Sequence, residues 1–250
     1  MHAANFTTVF IGIESPRVDS LLETKKKQNT RGDLVESVRR VQAHGIQVQA
    51  GMIVGFDADD PSIFDEQLRF IQDARIPVSM TGMLQALPKT PLHERVEREG
   101  RLLEASSGDQ FVLSNIEPAG MSRLELYRGY RWLMDQLYDF THYRERTLAF
   151  LLTRGHQIHR GTNIRRGDIR RLGRILRENL SLADPKRAWF TLSLLGATLL
   201  RRPGAFKEAV SFAVVHRAFH TYRHELARNL DRKIAELETG GEPTRGASAS

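Results

Sequence analysis

Polar groups close three apolar runs in the first 92 residues. Glu14 and Ser15 end FTTVFIGIES, Asp57 ends AGMIVGFD, and Gln85 to Pro88 sit within LQALPKTPL. A carboxylate at the end of an apolar run is costly to bury unless it is paired or hydrogen-bonded, so Glu14 marks a rim where a polar ligand can be held. Gly12, Gly51 and Gly55 lie in the same runs. Strand glycines allow either a ligand or a packed helix to approach the backbone closely, and both readings stand here. His216, His220 and His224 recur every four residues ahead of Glu225. Two such histidines can share a metal, but the order is not that of a HExxH zinc site. A basic helix face is the preferred reading.

What is missing limits the chemistry. The chain has no cysteine, so it forms no disulfide, no thiolate metal site and no cysteine-held iron–sulfur cluster. No Walker loop, Gly-x-Ser-x-Gly elbow or Rossmann fingerprint occurs.

The elements that must position these residues change character along the chain. Phe6 to Ile13, Ile46 to Phe56 and Val78 to Leu87 read as strands, and Asp33 to His44 and Asp60 to Ala74 as amphipathic helices between them. This β–α–β–α–β order implies parallel strands joined by right-handed crossovers. From Ser122 onward helical periodicity dominates, with turns at Gly155, Gly161, Gly167, Pro185 and Pro203–Gly204. The fold class is therefore α/β, followed by an all-α region. Gly240 to Ser250 reads as a disordered tail.

With 250 residues, 40% of them hydrophobic, the chain can bury a sizeable core. Its formal charge of +7 is concentrated. Residues 141–230 carry 18 Lys and Arg against 6 Asp and Glu, whereas residues 1–140 carry 16 against 20. Such a block is either a solvated face or a surface for anionic partners. Nucleic acid is the least favoured partner, because no aromatic interleaving accompanies the arginines of 168–178. Trp189 to Leu200 runs for a dozen residues without charge between Lys186–Arg187 and Arg201–Arg202. It is too short for a bilayer span, which needs about 20 apolar residues. A buried core helix is favoured, with a helix lying in a membrane interface as the alternative.

FTTVFIGIES, the KKKQN of Lys25 to Asn29, AGMIVGFD and LQALPKTPLHERVEREGRL, in that order, resemble the later half of the barrel in cobalamin-binding radical S-adenosylmethionine proteins. MSRLELYRGYRWLMDQLY and the following YRER resemble the start of their C-terminal helical domain of unknown function. The resemblance implies the last three strands of a β/α barrel in residues 1–105, a helical domain in 106–238 and a tail in 239–250. It places Glu14 and Ser15 near the ribose or amino-acid part of S-adenosylmethionine, Gly12 where backbone meets ligand, Gly51, Ile53 and Gly55 against adenine, and Gln85 and Pro88 along the same pocket. In the family a CxxxCxxC loop holds a [4Fe–4S] cluster and an N-terminal domain holds cobalamin. This chain carries neither, so it is expected to be inert alone and to belong to a cobalamin-dependent enzyme, a methyltransferase or another enzyme of lipid or natural-product biosynthesis. A split gene, with a separate polypeptide supplying the N-terminal half, or a mis-assigned start at Met1 would account for this. The alternative is a non-catalytic binding or membrane-surface protein. The cytoplasm is the expected location, with contact to the inner face of the membrane left open. The half-barrel, with an unpaired edge, is expected to aggregate while the helical region stays ordered.

Overall fold

The computed structural model describes residues 6–23, 33–103, 113–155, 173, 177–180 and 183–239. Lys25 to Asn29, most of the arginine-rich stretch and the expected tail lie outside them.

Three parallel strands, β1 (Thr8–Glu14), β2 (Gln47–Val54) and β3 (Val78–Met83), form a sheet in the order β1-β2-β3. Phe10 pairs with Gln49, Gly12 with Gly51, Gly51 with Met80 and Ile53 with Gly82. The expected α/β and helical parts are thus present, with an open sheet in the first. Helix α1 (Val18–Glu23) was not read from the sequence. Helices α2 (Leu34–Ala43) and α3 (Ile63–Asp73) form the crossovers. Asp33 caps α2 by accepting from the Glu36 amide, and the chain turns at Gly45 with a φ of 79°. Pro61 precedes α3 by two residues, and Ser62 is the residue ahead of the first turn.

Alternation along β2 separates two faces. Val48, Ala50, Met52 and Val54 are buried towards the helices, where they meet Ile63, Phe64, Leu68 and Ile71 of α3. Gln47, Gln49, Gly51 and Ile53 are only half-buried and occupy the other face.

After α4 (Pro91–Arg98) come α5 (Arg123–Leu137), α6 (Phe140–Thr153), α7 (Pro185–Arg201) and α8 (Phe206–Glu238). Ser122 and Glu125 form a capping box at the start of α5. Helix α5 then lies along the free edge of β3. Leu84 N donates to Val54 O at 2.8 Å, so the alternating pattern of a parallel ladder turns the peptide groups of Ser79 and Thr81 away from β2. Tyr138 Oη donates to Ser79 O at 2.5 Å and Tyr130 Oη to Thr81 O at 2.8 Å. Arg146 of α6 is 1% exposed and donates to Ile76 O at 3.0 Å and Leu137 O at 2.5 Å. Burial lowers its pKa to about 10, and its guanidinium lies 4.8 Å from the Tyr143 ring centroid.

Close packing completes the junction. A Cβ at Gly129 of α5 would meet the Phe64 ring at 1.9 Å, and one at Gly155 would meet Ala43 O at 1.9 Å. One core cluster runs from Ile13 of β1 through α3, α5 and α6 to Leu230 of α8. Sheet and helices bury each other's apolar faces, and among the described residues β1 has no strand partner on its outer edge.

Removing either tyrosine hydroxyl strands a buried carbonyl. Tyr130→Phe and Tyr138→Phe are each expected to lower unfolding free energy by about 1–3 kcal/mol, measured by urea denaturation, with one transition seen by both near-ultraviolet and far-ultraviolet circular dichroism.

Candidate functional site

On the sheet face turned away from α2 and α3, alternation collects Phe10, Gly12, Gly51, Ile53, Met80 and Gly82, with Ile53 packed on the cluster that holds Leu92 and Val96 of α4. Gly12 and Gly51 are adjacent partners. They form a strip without side chains, and the Phe10 ring leans over it: a Cβ at Gly51 would stand 3.0 Å from Phe10 Cζ. Phe10 is 56% exposed, so its outer ring face is open to solvent.

The strand ends differ from one another. Glu14 closes β1 at a register shift after Gly12 and adopts a φ of 71°. A left-handed non-glycine residue is strained by about 1–3 kcal/mol, and such strain collects at ligand sites. Ser15 is fully buried and accepts from the Arg17 amide at 3.2 Å. Gly55, just beyond β2, has a φ of 95° and is packed against Leu126 of α5. Its amide and that of Phe56 donate to Asp59 Oδ2 at 2.9 and 3.1 Å, while Ser20 Oγ donates to Asp59 Oδ1 at 2.7 Å. Burial raises the Asp59 pKa despite these bonds. Gly55 thus serves the turn and the seat of α5.

Asp57 is committed to ion pairs. Arg101 donates to it at 2.9 and 3.0 Å and Arg95 from α4 also binds it, while its own amide donates to Glu23 at 3.2 Å. Burial disfavours the Asp57 carboxylate, but the two guanidiniums outweigh burial and hold its pKa below the usual range. Arg17 is clamped in the same way by Glu66 at 2.7 Å and Asp60 at 3.2 Å.

The third strand exit is held by residues that the sequence did not single out. Asn115 accepts from Ala86 N at 2.8 Å and donates to Ala86 O at 3.1 Å, so its amide side chain imitates a neighbouring strand. Ser114 Oγ donates to Leu84 O at 2.7 Å. Gln85 between them is half-buried, and Pro88 sits in an exposed turn before Thr90, the cap of α4. The structure therefore brings Gly12, Glu14, Gly51 and Ile53 together at one face and rim. Ser15 and Gly55 lie beneath it, and Pro88 lies in the turn beyond. Alternation in β1 was the available signal for Phe10; nothing in the sequence pointed to Asn115.

The basic face expected of the three histidines is absent at His216 and begins only at the exposed His224. His216 is 1% exposed, stacked among Phe140, Tyr143 and Phe190, with Nε2 3.1 Å from Tyr138 O. Burial pushes its pKa down to about 3 and that of His220 to about 4. With a carbonyl as partner, Nε2 carries the proton of a neutral ring. Among the described residues no cluster of three or more His, Cys, Asp or Glu can hold a metal.

A family model described as a domain of unknown function (DUF4070) matches residues 90–232, which is more than half of the chain. The chain belongs to this family. DUF4070 is the C-terminal domain of cobalamin-binding radical S-adenosylmethionine methylases, so the resemblance read from the sequence holds. Over 152 residues the chain is 39% identical to an uncharacterized methyltransferase of Synechocystis, covering 60% of this chain and 28% of that protein. Over 134 residues it is 37% identical to the hopanoid C-2 methylase of Rhodopseudomonas palustris, covering 52% of this chain and 25% of that one. A bacteriochlorophyllide d C-12(1)-methyltransferase of Chlorobaculum tepidum is 27% identical over 128 residues, 51% of this chain and 28% of that one. The chain thus spans about a quarter of the length of the curated relatives it matches. No solved structure matches it.

The neutral His216 generates a pH dependence. Its folded pKa, about 3, lies below its unfolded value near 6.5, so its stabilising contribution is complete above pH 6.5 and lost as pH falls towards 3. Thermal unfolding across that window should show His216→Phe losing about one proton's share of the slope, roughly 1.4 kcal/mol per pH unit.

Proposed function

We propose that the chain is the C-terminal portion of a cobalamin-type radical S-adenosylmethionine methyltransferase. In this reading β1 to β3 are the last strands of a β/α barrel and their open face is one wall of the S-adenosylmethionine pocket. The observation that carries it is the Gly12–Gly51 strip, uncovered by helices and ending at the strained Glu14, in a chain of this family.

The residues present fit one wall of a nucleoside site. Gly51 lets the Phe10 ring lie on the strand, the exposed Phe10 ring offers an aromatic surface for stacking, and Glu14 at the rim carries a carboxylate suited to hydroxyl or ammonium groups. Bound S-adenosylmethionine supplies the methyl group and the radical chemistry of such enzymes. Ser15, Gly55, Asp59 and Asn115 position the three strand ends without facing the ligand.

The residues do not fit a [4Fe–4S] cluster, since the chain contains no cysteine. Cluster and cobalamin are assigned to a cysteine-bearing portion, joined to this one or supplied as a separate polypeptide. Acting alone, the chain leaves S-adenosylmethionine uncleaved. The names of the relatives, a hopanoid methylase and a bacteriochlorophyllide methyltransferase, favour a large apolar substrate.

Isothermal titration with S-adenosylmethionine tests the site. The chain alone should bind at millimolar strength or weaker, because one wall encloses little of the ligand. Together with the remainder of the Synechocystis relative, binding should tighten at least tenfold, and Glu14→Ala should remove most of that gain. Equal binding by Glu14→Ala and the unaltered chain would refute the site.

A further inference from the structure

Helix α7 has two apolar faces, and among the described residues only one of them is covered. Phe190, Thr191, Leu194, Leu195 and Thr198 are buried against α6 and α8. Trp189, Leu192, Leu199 and Leu200 are 72%, 55%, 54% and 87% exposed. At 100° per residue these four fall within a stripe about 100° wide with Gly196 at its centre, roughly 16 Å long. Both readings of this segment made from the sequence therefore meet in one helix: its inner face is core and its outer face is apolar surface.

The charges beside the stripe are of one sign. Helix α7 contains Lys186, Arg187 and Arg201 and no acidic residue. Arg187 is paired with Asp184 at 3.2 Å, and Arg202 just beyond the helix donates to the carbonyls of Leu151 and Arg154. Lys186 and Arg201 have no ion-pair partner among the described residues and stand exposed at the two ends of the helix, about 90° and 150° around its axis from the centre of the stripe. Nearby carboxylates are neutralised, Glu178 by Arg217 and Glu208 by Arg154 at 3.0 Å.

We propose that the outer face of α7 docks on an anionic lipid surface, with Trp189, Leu192, Leu199 and Leu200 entering the headgroup and acyl boundary and Lys186 and Arg201 meeting lipid phosphates. Trp is suited to that boundary, and long basic side chains at the ends of an apolar segment can reach back to the interface. No helix among the described residues is long and apolar enough to cross a membrane, so the attachment is peripheral. A second copy of the chain is disfavoured by size, because a stable dimer needs about 800 Å² from each partner and the stripe is one helix wide. The inference is independent of the enzymatic reading.

The test uses the full chain in a Trp132→Phe background, which leaves Trp189 as the sole tryptophan. Vesicles of phosphatidylcholine, with and without about one third phosphatidylglycerol, are added at low and high salt. Docking predicts co-sedimentation with the anionic vesicles, a blue shift of Trp189 emission with several-fold weaker iodide quenching, and release by salt. Leu199→Ser with Leu200→Ser should weaken binding at least about tenfold while leaving helical circular dichroism unchanged, since both side chains are exposed. Lys186→Glu with Arg201→Glu should abolish the preference for the anionic vesicles. Failure to bind either vesicle, equal binding by the serine variant, or Trp189 shielded by self-association without lipid would each overturn the proposal.

Discussion

The arrangement of this chain depends on how the free edge of β3 is covered. Parallel strands leave alternate peptide groups pointing outward at an edge, and buried carbonyls without donors are costly. Here the donors are side chains from the helical region: the hydroxyls of Tyr138, just after α5, and of Tyr130 on α5 reach Ser79 and Thr81, and the Arg146 guanidinium on α6 reaches Ile76 and the end of α5. Arg146 is buried without a carboxylate and is held by carbonyl dipoles and an aromatic face instead. Because these bonds form only when α5 and α6 lie along β3, the helical region and the sheet share one core.

That cover makes the sheet asymmetric. The β3 edge and the helix-facing side are occupied, whereas among the described residues β1 keeps an unpaired edge and no helix covers Gly12 and Gly51. Ion pairs at the strand ends hold this rim in place without filling it: Asp57 is tied to Arg95 and Arg101, and Arg17 to Glu66 and Asp60.

Periodicity made the strands and crossover helices legible, because β-branched runs and a 3.6-residue stripe report directly which face is buried. The boundaries shifted where backbone pairing decides: β3 ends at Met83 instead of Leu87, since Asn115 and Ser114 take over the hydrogen bonds of the following residues. Of the site residues, Gly12, Glu14, Gly51 and Ile53 share the open face and its rim. Gly55 is needed for its positive φ and its contact with Leu126, which spacing alone could not separate from ligand contact. The histidines at 216, 220 and 224 misled for a related reason: spacing placed them on one helical face, but only tertiary packing decides whether that face is wet and charged or dry and neutral.

Hydrogen exchange followed by mass spectrometry probes this asymmetry most directly. In the chain alone, the amides of β2 and β3 and the helix α5 should exchange slowly and together, while the outward amides of β1 exchange fast. Adding the remainder of the hopanoid C-2 methylase should slow β1 and leave α5 unchanged. Fast exchange in α5 independent of β3, or a β1 that is as protected alone as in the mixture, would contradict the account.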